Sequence, residues 1–380
     1  MPSKAQLLLV TGVLPSPPDQ GDRLRLAALT DALAKAGELR VLYFGPRAAA
    51  APAAFAPWTG RVDAFPRAPL RQYLGLLRGL GREPFTVAAH WDATLARRMA
   101  RALESPPRLL VAYQLRAARY AAALPAAYRV VDLTDRLAAY YRRARRFSAS
   151  PLLRLRFAGI HRAEAAVDTW ADEIWLAALG EAAAFTRGRL VPNGTRVPPA
   201  PQPLPPGPPR LLYVGNRRYP PNRDGLNWFL TRVWPLLRRE RPDALLEVVG
   251  RGKPVRAPGV VDAGYVADVV GAYRRCHLVL APVRFGAGAP SKVLEALGQG
   301  RVVAATPAAA SGLAVPAGCL ATASSPAELA ATIGDLLAHP EELARRGTAA
   351  HAWAAREADW SAVMARAVEQ ALAGAGADAP

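Results

Sequence analysis

Lys292 is the residue whose type and position most clearly indicate chemistry in this sequence. Pro290 suits the first turn of a helix, and the Gly298–Gly300 pair ends that helix after about two turns, so Lys292 is predicted to lie in its first turn. A cation there opposes the helix dipole unless an anion is bound by the ammonium and by free backbone N–H groups together. Of the 49 lysines and arginines only four are lysines, and a compact ammonium binds phosphate where a forked guanidinium does not fit. The pattern predicts a phosphate site.

The sequence around Lys292 predicts a buried strand and a glycine-containing loop before the helix. Leu278–Val283 is a continuous apolar run, as a parallel strand covered on both faces requires, and Gly286 and Gly288 let the backbone approach a ligand closely. Glu295 lies on the same helix face as Lys292 and offers a carboxylate to sugar hydroxyls. A solvent-exposed Lys–Glu pair on an ordinary helix fits the same spacing, and a GxG loop alone is a weak signal, so both interpretations stay open here.

Length and composition indicate a soluble protein of two domains. The chain has 380 residues, of which 51% are hydrophobic, and its mean hydropathy is +0.04. No apolar run reaches the ~20 residues of a membrane span, and Leu7–Val13 leads into Pro15 without a cleavage site, which favours a buried strand over a signal peptide. The two cysteines give neither a disulfide framework nor metal-ligand spacing. We expect a cytoplasmic protein.

The net charge of +19 calls for anionic partners such as a nucleotide, an anionic lipid surface or nucleic acid. Between Arg136 and Arg162 the chain has eight arginines and no acid, with tyrosine, phenylalanine and leucine interleaved. An interfacial helix pair at an anionic membrane has this pattern, and so does a solvated arginine-rich face. Nucleic acid is disfavoured because no recognised binding module accompanies the charge. Peripheral contact with the inner face of a membrane therefore remains a hypothesis.

Alternating strand and helix patterns predict an α/β fold with doubly wound parallel sheets. In the first half, strands are predicted at 7–13, 40–44, 109–113, 129–133 and 173–176, and a helix at 23–36. After residue 209 the pattern restarts, with strands at 211–215, 245–250, 260–263 and 277–283, and a helix at 225–240. Ligands of such sheets bind outside the carboxyl ends of the strands, where the loop 15–22 and the DLTD segment with Asp132 and Asp135 would lie.

The boundary between the domains is predicted from proline content. Residues 198–209 hold eight prolines in twelve positions, which is typical of a stiff extended linker. The predicted organisation is a Rossmann-like domain over 1–197, the linker over 198–209, and a second Rossmann-like domain over 210–355. A C-terminal helix with a disordered tail, over 356–380, is expected to pack back on the first domain. Two such domains would face a ligand cleft.

Six segments in combination resemble the family-four (group-one) retaining glycosyltransferases, which have the GT-B fold, over nearly the full length of the chain. The segments are PSPPDQGDRLRLAAL in the first loop, VPNGT at 191–195, YVGNRRYPPNRDGLNWFL at 213–230, VVG at 248–250, DAGYVADV at 262–269, and APVRFGAGAPSKVLEALGQGRVVAAT after it. The PN motif in the third segment and the GxGxxxKxLEA loop resemble the subgroup associated with exopolysaccharide biosynthesis and other cell-envelope sugar transfer.

The resemblance implies a donor site in the second domain and an acceptor site in the first. Lys292 and Arg217 would neutralise the nucleotide diphosphate and stabilise it as leaving group, and Glu295 would hold the ribose. Gly21 and Asp22 match the loop that closes over the diphosphate and the acceptor. The other positions that the resemblance assigns to the donor, the last two at its nucleobase, are Gly215, Asn216, Gly286, Ala287, Gly288, Tyr265 and Val266. The donor is a nucleotide-diphosphate sugar, and neither a cofactor nor a metal is implied.

The chain departs from the family pattern at two positions. The first glutamate of the family's paired motif is Ala287 here, which removes a contact to the donor sugar. The family's histidine after a strand of the first domain has no counterpart, because Tyr113 and Gln114 occupy its place and His90 is out of register, which favours a structural role for His90. No general base is therefore assigned. A retaining front-face mechanism tolerates this, because the leaving diphosphate can help accept the acceptor's proton.

The implied function is transfer of a hexosyl group to a hydroxyl of a glycan or lipid-linked glycan, with retention and without metal. Two alternatives stay open. A non-catalytic protein that binds sugar nucleotides or polysaccharides is compatible with the two departures, and another GT-B enzyme such as a nucleotide-sugar epimerase would need several carboxylates around the sugar. A dinucleotide oxidoreductase is disfavoured because no GxGxxG motif follows the first strand.

Overall fold

The strands of this chain form two parallel sheets, each in a unit of its own. The computed structural model describes residues 5–17, 20–67, 69–146, 150–178, 180–285, 290–313, 315–316 and 318–377. The first unit extends to Pro192 and resumes at Trp360, and the second unit is Asn193–Asp359. The chain therefore passes from one unit to the other twice.

The first sheet has the strand order β3-β2-β1-β4-β5-β6-β7, with all neighbours parallel. Its strands are β1 (Gln6–Thr11), β2 (Glu38–Gly45), β3 (Val62–Pro66), β4 (Leu109–Tyr113), β5 (Tyr128–Thr134), β6 (Glu173–Leu176) and β7 (Gly188–Leu190). The helices between them are α1 (Gly21–Ala36), α2 (Ala51–Phe55), α3 (Pro69–Gly79), α4 (Phe85–Ala88), α5 (Ala93–Ala102), α6 (Leu115–Ala122), α7 (Leu137–Ala144), α8 (Pro151–Arg156) and α9 (Ile160–Val167), with 3₁₀ turns at Ala48–Ala50 and Ala182–Ala184.

The second sheet repeats this topology in the order β10-β9-β8-β11-β12-β13, again parallel. Its strands are β8 (Arg210–Val214), β9 (Leu245–Val249), β10 (Val260–Gly264), β11 (Leu278–Ala281), β12 (Val302–Ala305) and β13 (Leu320–Thr322). The helices are α10 (Pro220–Trp228), α11 (Trp234–Glu240), α12 (Val269–Arg274), α13 (Ser291–Gly298), α14 (Pro307–Ala310), α15 (Pro326–Ala338) and α16 (Pro340–Glu357). This confirms the predicted pair of Rossmann-like doubly wound domains.

Helices cover both faces of each sheet, which is why central strands such as β4 and β11 are buried along their whole length. On the first sheet α1 and α2 bury Leu29 and Phe55 on one face, and α5 and α6 bury Met99 and Tyr120 on the other. The last helix, α17 (Trp360–Ala377), belongs to the first unit and packs along α1 through its apolar face around Met364. None of the helices described has the length and apolar character needed to cross a bilayer.

The proline-rich segment 198–209 belongs to the second unit, which begins at Asn193 and so takes in the residues predicted to link two domains. Arg301, fully buried directly before β12, holds it in place: its guanidinium donates hydrogen bonds to the carbonyl oxygens of Gln202 (2.6 Å) and Pro203 (2.8 Å) and to that of Tyr273 (3.0 Å). Because proline has no backbone N–H, a proline-rich segment has few donors for its own carbonyl oxygens. The several N–H groups of one guanidinium can supply them. The predicted linker is in fact fixed to the second sheet.

The helix predicted over 225–240 begins earlier and is interrupted. It starts at Pro220, because two prolines occupy the first turn, where a missing N–H costs nothing. Pro235 then lacks the N–H that would bond to the carbonyl group one turn before it, and the chain forms a π-helical segment, Phe229–Val233, before α11. The early start is what brings Asn222 into the first turn of α10.

The arginine-rich segment does not present its aromatic side chains as an exposed apolar face. Tyr140 and Tyr141 each contact the ring of Phe157, with centroids 5.7 Å and 5.4 Å apart, and all three pack against the core of the first unit. Leu152, in contrast, is 64% exposed. The interpretation of these aromatics as a lipid-facing surface is therefore wrong, because the same interleaved spacing serves a core face. Phe147, one of the interleaved residues, lies outside the described residues.

Candidate functional site

Lys292 lies in the first turn of α13 and is 8% exposed. Its ammonium donates to Oδ1 of Asn222 over 2.9 Å and lies 4.5 Å from the centre of the Tyr213 ring, a cation–π contact. An ammonium has three N–H donors, and the bond to Asn222 uses one of them. The interpretation of Lys292 as a solvent-exposed residue on an ordinary helix is therefore wrong.

Asn222 and Tyr213 form the wall that positions this ammonium. The Asn222 amide accepts from Lys292 and donates through Nδ2 to the carbonyl oxygen of Asn216 (3.2 Å), while its own carbonyl oxygen accepts from the Tyr213 hydroxyl (2.7 Å). Tyr213 is the penultimate residue of β8 and Asn222 lies in the first turn of α10, so the loop between them is tied to both elements. The side chain of Lys292 is thus held by residues on two elements of the second unit, β8 and α10.

Two glycines let the strand-end turns come close to one another at this site. A Cβ atom on Gly215 would lie 3.0 Å from the Lys292 Nζ and 3.0 Å from the Tyr213 hydroxyl. Gly250, after the neighbouring strand β9, has φ +132°, and a Cβ there would lie 2.1 Å from the carbonyl oxygen of Gly215. The ammonium therefore lies directly against the backbone that follows β8, as a ligand site at the carboxyl ends of the strands requires.

Burial is the main influence on the charge of Lys292. It lowers the pKa of the ammonium to about 7, and the neighbouring Glu295 acts in the opposite direction. Burial likewise raises the pKa of the Glu295 carboxyl, against the hydrogen bond that its Oε2 accepts from the Tyr273 hydroxyl (2.8 Å). Within the described part of the chain no ion pair shorter than 4 Å joins Lys292 to Glu295. A buried ammonium without a paired carboxylate is stabilised by an incoming anion.

Arg217 is predicted to bind the diphosphate, and the structure places it in a buried pair. Its Nη2 donates to both carboxylate oxygens of Asp262 at 3.1 Å, and the residue is 6% exposed. Its Nε and Nη1 are also buried and have no hydrogen-bond partner among the described residues. Asp262 neutralises much of the charge, so what Arg217 offers a ligand is N–H donors rather than a free cation.

The positions predicted to contact the nucleobase lie after β10. Tyr265 is 53% exposed, and the Arg251 guanidinium lies 4.2 Å from the centre of its ring. Val266 is partly buried against the core on the α13 side of the sheet. Asn216 is exposed, and its Oδ1 accepts from the backbone N–H of Arg218. The predicted Gly286, Ala287 and Gly288 lie outside the described residues.

Gly21 and Asp22 are the first residues of α1 rather than part of the loop before it. Asp22 accepts a hydrogen bond from the backbone N–H of Arg23, as an acid in a first helical turn does, and its carbonyl oxygen accepts from the Tyr113 hydroxyl. Burial lowers the pKa of the Arg116 guanidinium, and the negative charge of the nearby Asp22 acts in the opposite direction. These groups gather at the carboxyl ends of β1 and β4.

Strained backbone marks the same edge of the first sheet. Gln114 and Thr134, directly after β4 and at the end of β5, have φ values of +69° and +65°, which is rare for residues other than glycine. Oδ1 of Asp135 is buried without a hydrogen-bond partner in the described structure, and burial and the nearby Glu181 raise the pKa of this carboxyl to about 7.

His90 is held by the carbonyl oxygen of Thr86, and burial lowers its pKa to about 4, consistent with a neutral structural histidine.

Sequence reasoning missed four residues that organise the donor side. These are Tyr213, Asn222, Asp262 and Tyr273. Asn222 carried a signal, because the asparagine after two prolines is the PN motif of the resemblance. Tyr213 and Tyr273 carried none, since an aromatic residue in an apolar strand or helix is typical of a core.

Comparisons with known proteins bear on this geometry. Residues 208–339 match the family model described as glycosyl transferases group 1, and no curated protein matches the chain. Sucrose-phosphate synthase from Thermosynechococcus elongatus is similar in structure at 18% identity, with a TM-score of 0.72, over 98% of this chain and 100% of that one. HepE from Anabaena, solved in complex with UDP-glucose, is 16% identical, with a TM-score of 0.64, over 97% and 100% of the two chains.

A third similar structure is WaaG, a glycosyltransferase involved in lipopolysaccharide biosynthesis. It is 16% identical, with a TM-score of 0.64, over 96% of this chain and 99% of its own. At these identities the likeness concerns the fold, which is GT-B, whereas the family match covers the residues around Lys292 themselves. Residues 208–339 thus form a group 1 glycosyltransferase domain, within a chain that has the GT-B fold.

Proposed function

We propose that this protein transfers a sugar from a nucleotide-diphosphate donor to a hydroxyl group of a glycan or lipid-linked glycan. The observation that carries the proposal is the buried ammonium of Lys292, which has one hydrogen bond to Asn222 and no carboxylate in contact among the described residues. A diphosphate satisfies both its charge and its remaining N–H donors, and attraction at a buried site is stronger than in water. The complex of HepE with UDP-glucose supports a UDP-hexose as the donor class.

The proposed chemistry is electrostatic. As the bond between the sugar and the diphosphate breaks, negative charge grows on the departing phosphate oxygens, and groups that already point there lower the barrier most. Lys292 and the backbone N–H groups at the start of α13 are such groups, and the buried Nε and Nη1 of Arg217 add two more donors. The acceptor hydroxyl loses its proton to the leaving diphosphate, and retention of the anomeric configuration follows from the resemblance to retaining enzymes.

We propose that no metal ion takes part, because protein groups supply the positive charge at the diphosphate. The experiment that tests the function is hydrolysis and transfer with a panel of nucleotide sugars in EDTA, together with thermal shifts by each nucleotide. Release of UDP from UDP-glucose supports the proposal. Thermal shifts without turnover would assign the protein to the binding class, an epimerised donor would assign it to the epimerases, and activity lost in EDTA but restored by magnesium or manganese would overturn metal independence.

Glu295→Gln is expected to raise the donor KM by about tenfold and to change kcat little. The carboxylate is proposed to accept hydrogen bonds from the ribose, and a charged acceptor binds a hydroxyl more strongly than a neutral amide does. The glutamine keeps an oxygen for the Tyr273 hydroxyl, so the local structure should persist. Steady-state kinetics with UDP-glucose measure KM and kcat separately.

Tyr273→Phe is the matched control for this variant, because it removes the hydrogen bond to Glu295 and keeps the carboxylate. Its donor KM should change less than that of Glu295→Gln. A donor KM in Glu295→Gln equal to that of the wild type would contradict the ribose assignment.

A further inference from the structure

The helix α3 exposes an apolar face that no described part of the chain covers. Tyr73 and Leu77 are 66% and 69% exposed, and Leu74 and Leu80 are 41% and 48% exposed. The spacing of Tyr73, Leu77 and Leu80 places them on one side of the helix and its extension. An amphipathic helix on a globular domain normally turns such a side to the core. Here it faces away from the protein.

Two glycines fix α3 in this orientation. A Cβ atom on Gly75 would lie 2.4 Å from the carbonyl oxygen of Ala88, and one on Gly79 would lie 2.6 Å from the Ala88 Cβ. The glycine side of α3 therefore lies directly on α4, closer than any side chain allows. Rotating the helix to bury Tyr73 and Leu77 would place those side chains where only glycine fits. The exposure of the apolar side follows from this packing.

Arginines border the apolar side. Arg78 and Arg82 are exposed. The carbonyl oxygen of Arg82 accepts a hydrogen bond from the Arg162 side chain (3.1 Å), and a Cβ atom on Gly159 would lie 2.0 Å from this oxygen. The turn after α3 thus contacts the residues that begin α9. These belong to the acid-free segment 136–162, whose arginines on α8 are exposed around Leu152. The acid next to α3, Glu83, is paired with Arg119 at 2.9 Å.

We propose that the apolar side of α3, with its arginine border, is a docking surface for an anionic lipid bilayer. Leucines between basic residues match an acyl boundary beneath anionic headgroups, and a tyrosine suits the interface because its ring is apolar and its hydroxyl is not. A second copy of the chain is a poorer occupant, because its arginines and its net charge of +19 would be repelled by those of the first copy. This surface lies in the first unit and is independent of the donor site.

The test is co-sedimentation of the full chain with vesicles. We expect binding to phosphatidylcholine vesicles that contain phosphatidylglycerol, weak binding to phosphatidylcholine alone, and release at high salt. The triple variant Tyr73→Ser, Leu77→Gln, Leu80→Gln should bind the anionic vesicles about tenfold more weakly. Val261→Gln, at a 57% exposed apolar residue of the second unit, is the matched control and should bind as the wild type does. UDP-glucose turnover without vesicles should be unchanged in both.

A second measurement locates the contact. The emission of a polarity-sensitive fluorophore attached to Leu77→Cys should shift to the blue on anionic vesicles, and that of the same label on Val261→Cys should not. The native Cys276 and Cys319 are buried, so the label reacts with the introduced cysteine. Undiminished binding by the triple variant, or a wild type that stays in solution with anionic vesicles, would overturn the proposal. Dimerisation of the wild type that the triple variant loses, without vesicle binding, would assign the surface to a second copy and overturn it as well.

Discussion

Lys292→Met is expected to lower UDP-glucose turnover by about 100-fold or more. Removing one preorganised donor from a site where negative charge develops typically costs a factor of this size, and Lys292 supplies a full charge as well as donors. Methionine has a similar length and no polar atom, so the contacts with the Tyr213 ring should be retained. The measurement is kcat and KM for UDP release. Lys253→Met, at an exposed lysine of the same unit, is the control and should keep turnover within about twofold.

The same variant is expected to raise the Tm of the unliganded protein. Burial lowers the pKa of Lys292 from the 10.5 of a free side chain to about 7, so the unfolded chain binds this proton more tightly than the folded one. The folded protein is therefore destabilised by the full amount below about pH 7. This destabilisation decreases as the pH rises and is absent above 10.5. Methionine removes it at neutral pH. A gain in Tm together with a loss of turnover distinguishes a ligand-binding lysine from one that serves the fold.

Donor affinity should follow the charge of Lys292. Above about pH 7 the ammonium of the free protein loses its proton, so UDP-glucose binding must take one up and its Kd should rise by up to tenfold per pH unit. Below that pH the lysine is charged and its contribution is constant. The methionine variant should show weak binding without this dependence. Near-normal turnover in the variant, or a wild-type Kd that is flat from pH 7 to pH 9, would contradict the phosphate assignment.

The position of Lys292 could be predicted because local rules determine it. A buried strand, a proline in a first turn and a glycine that ends the helix are all signals within a few residues of one another. The partners of Lys292 could not be predicted, because Asn222 is 70 residues away in sequence and only the parallel pairing of β8 with β11 brings the two together. Distant pairs of this kind depend on tertiary structure.

Three further features have the same origin. The resemblance assigns Arg217 to the diphosphate, yet its pairing with Asp262 depends on the strand β10, which follows it by more than forty residues. The arginine-rich segment has a spacing of apolar residues that suits a core and a lipid surface equally, and packing on Phe157 selects the core. On α3 the apolar side is exposed because Gly75 and Gly79 occupy the inner face, a contact that depends on the three-dimensional position of Ala88.

Arg25→Met is expected to destabilise the first unit by about 3–5 kcal/mol, because it leaves the carboxylate of Asp132 buried without its partner. Both side chains are fully buried, with Arg25 Nε 2.8 Å from Asp132 Oδ2, and Arg25 also donates to the carbonyl oxygens of Val191 (3.0 Å) and Pro192. Calorimetry should show the transition of the first unit lowered by on the order of 10 °C.

The controls for Arg25→Met separate the buried pair from charge removal in general. Lys35→Met, on the same helix α1, breaks an exposed pair with Asp31 and should cost less than about 0.5 kcal/mol. Arg25→Met combined with Asp132→Asn should recover part of the loss, because a neutral amide is less costly to bury than an unpaired carboxylate. The Kd for UDP-glucose should stay unchanged below the transition, since Lys292 belongs to the other unit. A loss in Arg25→Met no larger than that in Lys35→Met would show that the pair does not hold the carboxyl end of β5 in place.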